Sequence, residues 1–309
     1  MVIVKPNLES LFLDSFVDYN ATVIPHEPPA PFGYFDGYYE DGLLKLISFR
    51  LHQYIPTIQR ALFLDSDQLI LQPLDHLFSL PKTDITAPRA YWTGDPAAVT
   101  SAMMLIQPSD RLWSKVEAAI DHLESYKYDM DIINDLFKNT AMILPGSYCT
   151  LNSHWELNEL PNWWQGMEQQ DLVQGTAFSN EQQTIVSPND LLGDQSRGKA
   201  TQKQMPKDAP HRERVHPKPN KSEAEKAIED SIERQRLRER GARLKEPLQN
   251  LYGNDVKVLH FTAMGKPWSY NQTTILKERP DAHPLFAEQF KLWSTTAKSI
   301  CPGFEDLDI

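Results

Sequence analysis

The chain has 309 residues, 40% of them hydrophobic, which is room for one large α/β domain or two small ones around an ordinary buried core. Its formal charge of -11 and sequence pI of about 5.3 argue against a nucleic-acid partner, because phosphate binding needs a basic face. Two cysteines, Cys149 and Cys301, allow one disulfide and are too few for a disulfide framework or a cysteine-rich metal site.

The first residues, MVIVKPNLESLFLDSF, carry Glu9 and Asp14 and lack the apolar run of a secretion signal. No stretch approaches the roughly 18 apolar residues that span a bilayer. As written, the sequence is expected to be cytoplasmic, with the Golgi as the expectation if an N-terminal anchor is missing. Glycosylation sequons stand at Asn20, Asn220 and Asn271, about as many as chance supplies.

Leu43, Leu44, Ile47 and Leu51 recur at helical spacing. Ala61-Leu62-Phe63-Leu64 is a short apolar run ending in acids, which predicts a buried strand. Ile85-Thr86-Ala87 before Pro88 predicts another, and so does Ala102 to Ile106, closed by Pro108. Ser109 then reads as an N-cap for a helix whose apolar face is Leu112, Val116, Ile120 and Leu123. Asp131 to Lys138 predicts a further helix, and Ala141 to Leu144 a strand ending at Pro145. This alternation argues for an α/β sheet covered on both faces.

Residues 166–221 are rich in Gln, Ser, Asn, Lys and Pro and too poor in large apolar groups to offset their ordering entropy, so they are expected to be a disordered insertion. Ser222-Glu-Ala-Glu225 resembles a capping box and opens a charged run that predicts a solvated helix ending near Gly241. Val256 to Leu259 predicts a strand leading into His260, and His283 to Ala297 an amphipathic helix through Leu285, Phe286, Phe290 and Leu292-Trp293. The expected organisation is an α/β domain over 1–165, an insertion over 166–249 with a charged helix near 222–241, and a return to the same domain over 250–309.

The strongest chemical signal is Asp65-Ser66-Asp67 at the end of the apolar run. In open α/β sheets, ligands bind beyond the carboxyl ends of strands. Two carboxylates one residue apart there can share a hard divalent cation, which would neutralise a diphosphate leaving group. The bland account is a turn with solvated acids. A second signal is His260 just past a strand, followed by Gly265, which permits close backbone approach, and Lys266, a point charge suited to a phosphate. By itself such a histidine is more often structural. A third is Tyr128-Asp129-Met130-Asp131, where acids open a helix; a helix cap is the bland account and an acid touching a sugar the sharper one. Trp155, Trp163 and Trp164 are either packing residues or an acceptor-stacking platform.

Together these segments resemble the family 8 glycosyltransferases, the group of glycogenin and its fungal relatives. The run LFLDSDQLILQPLDHLF is similar to that family's Asp-x-Asp segment. HFTAMGKPW is similar to its C-terminal signature, Asp129 to Asn134 to its acid-initiated helix, and Lys45-Leu46 to its upstream Lys-Leu helix. The resemblance covers roughly residues 15–160 and 250–270. It implies a Rossmann-like nucleotide-diphospho-sugar transferase fold of the GT-A type, a mixed and mostly parallel sheet flanked by helices. It implies a retaining transfer of a hexose or N-acetylhexosamine from a UDP-sugar, with Mn²⁺ (or Mg²⁺) bound by Asp65, Asp67 and His260. Lys266 would face the donor diphosphate, with Ser66 and Gly265 beside it, and Lys45 would support the donor. Asp129 and Asp131 are the expected catalytic acids, and whether Asp129 attacks or only orients the sugar is left open. The partners implied are the nucleotide-sugar donor and a glycan or protein acceptor, with no nucleic acid, no membrane segment in this chain, and a homodimer left open.

Three departures stand against the family pattern. The family's first strand, which carries base-contacting residues, is expected to be missing here. Its Asn-Ser-Gly segment is Thr100-Ser101-Ala102, and the Gln that follows its helix acid is Met130. These departures keep a second hypothesis in play, a weakly active or inactive relative that serves as a binding or scaffold protein. A phosphohydrolase, the third, would place Thr or Val where Leu69 stands.

Overall fold

The computed structural model describes residues 1–6, 20–29, 41–124, 127–164 and 223–300, with the backbone alone for 223–230. The expected insertion over 166–221, the capping serine at 222 and Cys301 lie outside the described residues. Strands β1 (Val2–Val4) and β2 (Val23–Pro25) form a parallel pair. A 3-10 helix, Leu43–Arg50, runs into α1 (Leu51–Tyr54). Then follow β3 (Ala61–Leu64), β4 (Gln68–Ile70), β5 (Ile85–Pro88), β6 (Met103–Ile106), α2 (Asp110–Asp121), α3 (Asp129–Phe137), β7 (Met142–Leu144), β8 (Thr150–Leu151) and α4 (Ser153–Leu157). The last described elements are α5 (Glu223–Asn250), β9 (Val258–His260), α6 (Gln272–Glu278) and α7 (Pro284–Ile300).

One sheet has the order β3-β6-β5-β7 and a second the order β4-β9-β8. Because β6 is antiparallel to both β3 and β5, and β5 is parallel to β7, strands β3, β5 and β7 run the same way. Their carboxyl ends therefore share one edge, and the chain enters β6 from that edge. In the second sheet β9 is antiparallel to β4 and parallel to β8.

The fold is mixed α/β with helices flanking the sheets, but the sheets are less parallel than the sequence suggested. In the first sheet β6 runs against its neighbours, and in the second β4 runs against β9. For the first sheet the reason lies between β5 and β6: a parallel neighbour needs a crossover of a dozen or more residues, usually a helix, and residues 89–102 form none.

Strand alternation sorts the core into layers. Met104 and Ile106 of β6 face a cluster with Leu112, Val116 and Ile133 from the helices above. Met103 and Leu105 of the same strand face Val258 of β9 and Leu77 in the space between the sheets. Beyond the second sheet, Leu259 packs with Trp155, Phe261, Phe286 and Phe290. The strands read as unbroken apolar runs because both of their faces are covered.

Ser109 caps α2 through a hydrogen bond from the Leu112 N–H, as its position suggested. The charged helix does not stop near Gly241. It continues through Gly241 and Pro247 to Asn250 and buries Leu244 and Leu248. A Cβ at Gly241 would meet the Asn158 amide at 3.1 Å, so the glycine serves a close approach and not a helix end.

Candidate active site

Asp65-Ser66-Asp67 is the whole connection between β3 of the first sheet and β4 of the second. The Asp65 N–H donates to the Ala102 carbonyl at 2.8 Å, just before β6. The Asp67 carbonyl accepts from the Phe261 N–H at 3.0 Å, just after β9. Each acid is thus pinned to a different sheet, and β9 brings His260 beside them. Asp65, Asp67 and His260 offer donor atoms that all lie within 4.8 Å of one another.

Lys45 bridges two acids, reaching Asp65 at 2.8 Å and Asp129 at 3.1 Å. Burial works against its charge, but Asp129 and Asp65 outweigh that and hold the ammonium above its ordinary pKa. Burial pushes the Asp65 carboxyl up, against the pull of Lys45. Asp67 is more deeply enclosed, at 5% exposure, and burial opposes its charge too. Hydrogen bonding from His260, the nearby His260 charge and an ion pair with Lys266 nevertheless hold it well below the usual carboxylate range.

His260 Nε2 stands 3.4 Å from Asp67 Oδ1, and its Nδ1 is 3.6 Å from Cys149 Sγ. Burial alone would lower its pKa; the partners Asp67 and Cys149 bring it up to about 10. Two carboxylates and one imidazole are a donor set that hard to borderline divalent cations accept. The three cations, Lys45, Lys266 and His260, compensate charge where such an ion would otherwise do so. The residues therefore fit a divalent metal.

Asp129 is the first residue of α3 and also accepts the Ser101 hydroxyl at 2.5 Å. Asn134, five residues further along the helix, clamps the segment before β6, accepting the Val99 N–H and donating to the Val99 carbonyl, each at 2.8 Å. Asp131 does not join the cluster. Its carboxylate accepts the Tyr128 N–H at 2.8 Å and closes the helix start, which is the bland account of this acid. Ser66 is exposed between the two aspartates. Gly265 has φ of +113°, and a Cβ there would come within 2.8 Å of the Tyr270 ring, so a side chain would displace the turn that delivers Lys266.

The tryptophans divide. Trp155 is fully buried and donates its indole N–H to the Leu248 carbonyl at 3.2 Å, so it is core and not a stacking platform. Trp164 reaches Asp255 at 2.8 Å, and Trp163 lies edge-on to Tyr91 with ring centroids 6.2 Å apart. Sequence reasoning missed Asn152, Cys149 and Gln68. The Asn152 carbonyl oxygen Oδ1 accepts the backbone N–H groups of Thr262 and Ala263, each at 2.8 Å, fixing the loop that follows His260. Gln68, opposite His260 across the ladder, points its amide at Cys149 Sγ, 3.7 Å away. No local motif marks these residues.

No family profile matches the chain. It is similar to a protein named glucose N-acetyltransferase 1 of Gibberella zeae, 37% identical over 132 residues, covering 41% of this chain and 28% of that one. It is also similar to the protein of the same name from Aspergillus fumigatus, 30% identical over 118 residues, covering 35% of this chain and 30% of that one. The matched regions thus span less than a third of the curated relatives. Among solved structures, the WbbM bifunctional glycosyltransferase overlaps 98% of this chain and 44% of its own, with 10% identity and a TM-score of 0.47. The galactosyltransferase LgtC with donor and acceptor sugar analogues overlaps 90% of this chain and 75% of its own, with 13% identity and a TM-score of 0.42.

Proposed function

We propose that this chain carries the site of a metal-dependent glycosyltransferase of the GT-A type. In this reading the site moves a hexose or N-acetylhexosamine from a UDP-sugar to a glycan or protein acceptor with retention of configuration. The observation that carries the reading is the convergence of Asp65, Asp67 and His260 at the junction of the two sheets. These residues would hold Mn²⁺ (or Mg²⁺), which when bound supplies positive charge for the departing diphosphate. Lys266, now on Asp67, would turn to the donor phosphates, and Lys45 would support the donor from the other side. Asp129 would contact the transferred sugar. Its Oδ2 takes both the Ser101 hydroxyl and the Lys45 ammonium, so its charge is already committed, which favours orienting the sugar over attacking it. Residues 1–165 and 250–309 would make one catalytic unit, for which the interleaving of β4, β8 and β9 is the support.

The test is calorimetry of UDP with Mn²⁺ on the wild type and on the double variant Asp65→Asn, Asp67→Asn. Metal-dependent binding is expected in the first and absent from the second, with the circular dichroism unchanged. Equal binding by both would remove the assignment, and no heat from the wild type at millimolar ligand would favour the scaffold hypothesis. The relatives' name favours a second reading, transfer of an acetyl group. The mass added to an acceptor, a sugar unit or an acetyl group, decides between the two.

A further inference from the structure

Further along the carboxyl edge that carries Asp65, the first sheet holds a cleft of about 220 Å³ between the ends of β5 and β7. That is smaller than the roughly 300 Å³ at which drug-sized ligand sites begin, and suits a single small ring. It is lined by Leu144, Pro145 and the rings of Tyr91 and Trp163. Tyr91 is held rigidly, its hydroxyl accepting the Leu151 N–H at 3.1 Å and meeting His154 Nε2 at 2.9 Å. Gly146 makes room for Trp163, since a Cβ there would fall 2.3 Å from the indole.

Arg89 also lines this cleft. It is half-buried, and among the described residues its guanidinium has no hydrogen-bond or ion-pair partner. The acid that feels it, Asp95, is paired with Lys138 at 3.2 Å. Arg89 thus brings a cation with no partner among the described residues to the edge of a cleft walled by apolar and aromatic groups, where the anionic group of a ligand would be its partner. The planar guanidinium fork matches a carboxylate or phosphate, and the aromatic walls match the C–H face of a sugar ring.

Position says which substrate this is. Along the shared edge the order is Asp65 at β3, Ser101 with Asp129 before β6, Arg89 after β5, and Pro145 after β7. With strands about 4.8 Å apart, Arg89 stands about 10 Å along the edge from Asp65. A donor whose phosphates sit at Asp65 and whose sugar reaches Asp129 would leave the next position for the acceptor. Resting on the transferase reading above, we propose that this cleft binds an acceptor sugar unit carrying an anionic group, with the carboxylate or phosphate on Arg89 and the ring against Tyr91 and Trp163.

The experiment is saturation-transfer NMR on the full chain with UDP and Mn²⁺ present, titrating methyl β-glucuronide, glucose 6-phosphate and neutral methyl β-glucoside. At least one anionic sugar is expected to bind tenfold or more tighter than the neutral one. Arg89→Gln should remove that preference while UDP–Mn²⁺ affinity stays the same, and Arg89→Lys should keep part of it. Equal binding of all three sugars, or no binding of any, overturns the proposal. So does loss of UDP–Mn²⁺ affinity in Arg89→Gln, which would place the arginine on the donor. If the wild type takes the glucuronide but not UDP with Mn²⁺, the transferase reading falls and the acceptor role falls with it.

Discussion

Asp65 and Asp67 are two residues apart, yet they live in different surroundings because each is tied to a different sheet. On the first-sheet side, Asp65 shares Lys45 with Asp129, and burial pushes its carboxyl up. On the second-sheet side, Asp67 faces His260 and Lys266 and is held well below the usual range. A pair of identical side chains in one tripeptide is thus divided into a shared acid and a firmly ionised one. The lesson is that a short motif supplies the ligand types, while the seam between sheets sets their charge.

The comparison can be broken most completely at Asp67, which touches both His260 and Lys266. Asp67→Asn is expected to abolish Mn²⁺-dependent UDP binding at millimolar ligand, measured by calorimetry. Asp65→Asn should leave a residual signal, because His260 and Asp67 remain paired. Next in size is Asn152→Ala. It leaves the Thr262 and Ala263 N–H groups without their acceptor, at about 1–3 kcal/mol for each, read by urea unfolding.

A smaller effect is expected at Cys149, behind His260. With Nδ1 turned to the sulfur, Nε2 is the nitrogen left for a metal. Removing such an outer partner typically costs roughly tenfold to a hundredfold in metal affinity. Cys149→Ala should therefore weaken Mn²⁺ binding and Cys149→Ser should restore part of it.

The gentlest probe is pH. The folded-state pKa of His260, about 10, lies above its ordinary 6.5. Its pairing therefore stabilises the metal-free chain fully below pH 6.5 and loses that contribution as pH rises through about 10. Mn²⁺ affinity should move oppositely, rising with pH as the imidazole gives up its proton. A flat stability profile over that window, or one unchanged in Asp67→Asn, would show that the pairing is not formed in solution.

Much of this was legible in the sequence because it is local. The apolar runs of β3, β5, β6 and β7, the Ser109 cap and the helix after it depend on neighbours a few residues away. The coming together of Asp65, Asp67 and His260 was suggested by a resemblance and not by any pattern in the residues. Asn152 and Cys149 could not be found, since their partners lie 110 and 111 residues away and exist only once β8 pairs with β9. Residue 241 misled for a different reason. Glycine is a poor helix former, so it reads as a stop, and only the approach of Asn158 shows why a helix keeps it.

The long helix Glu223–Asn250 is fastened at one end. Residues 231–236 are exposed, while Leu244 and Leu248 are sunk in the core beside Trp155. Arg238 and Arg240 add lateral ties to Asp281 and Glu159 near the midpoint. Opening should begin at the amino end and die out as it nears those ties, so amide exchange along the rod should fall turn by turn toward Leu248. A protease that nicks the rod ahead of Arg238 should leave two pieces still clasped together, a cut chain that elutes as one body.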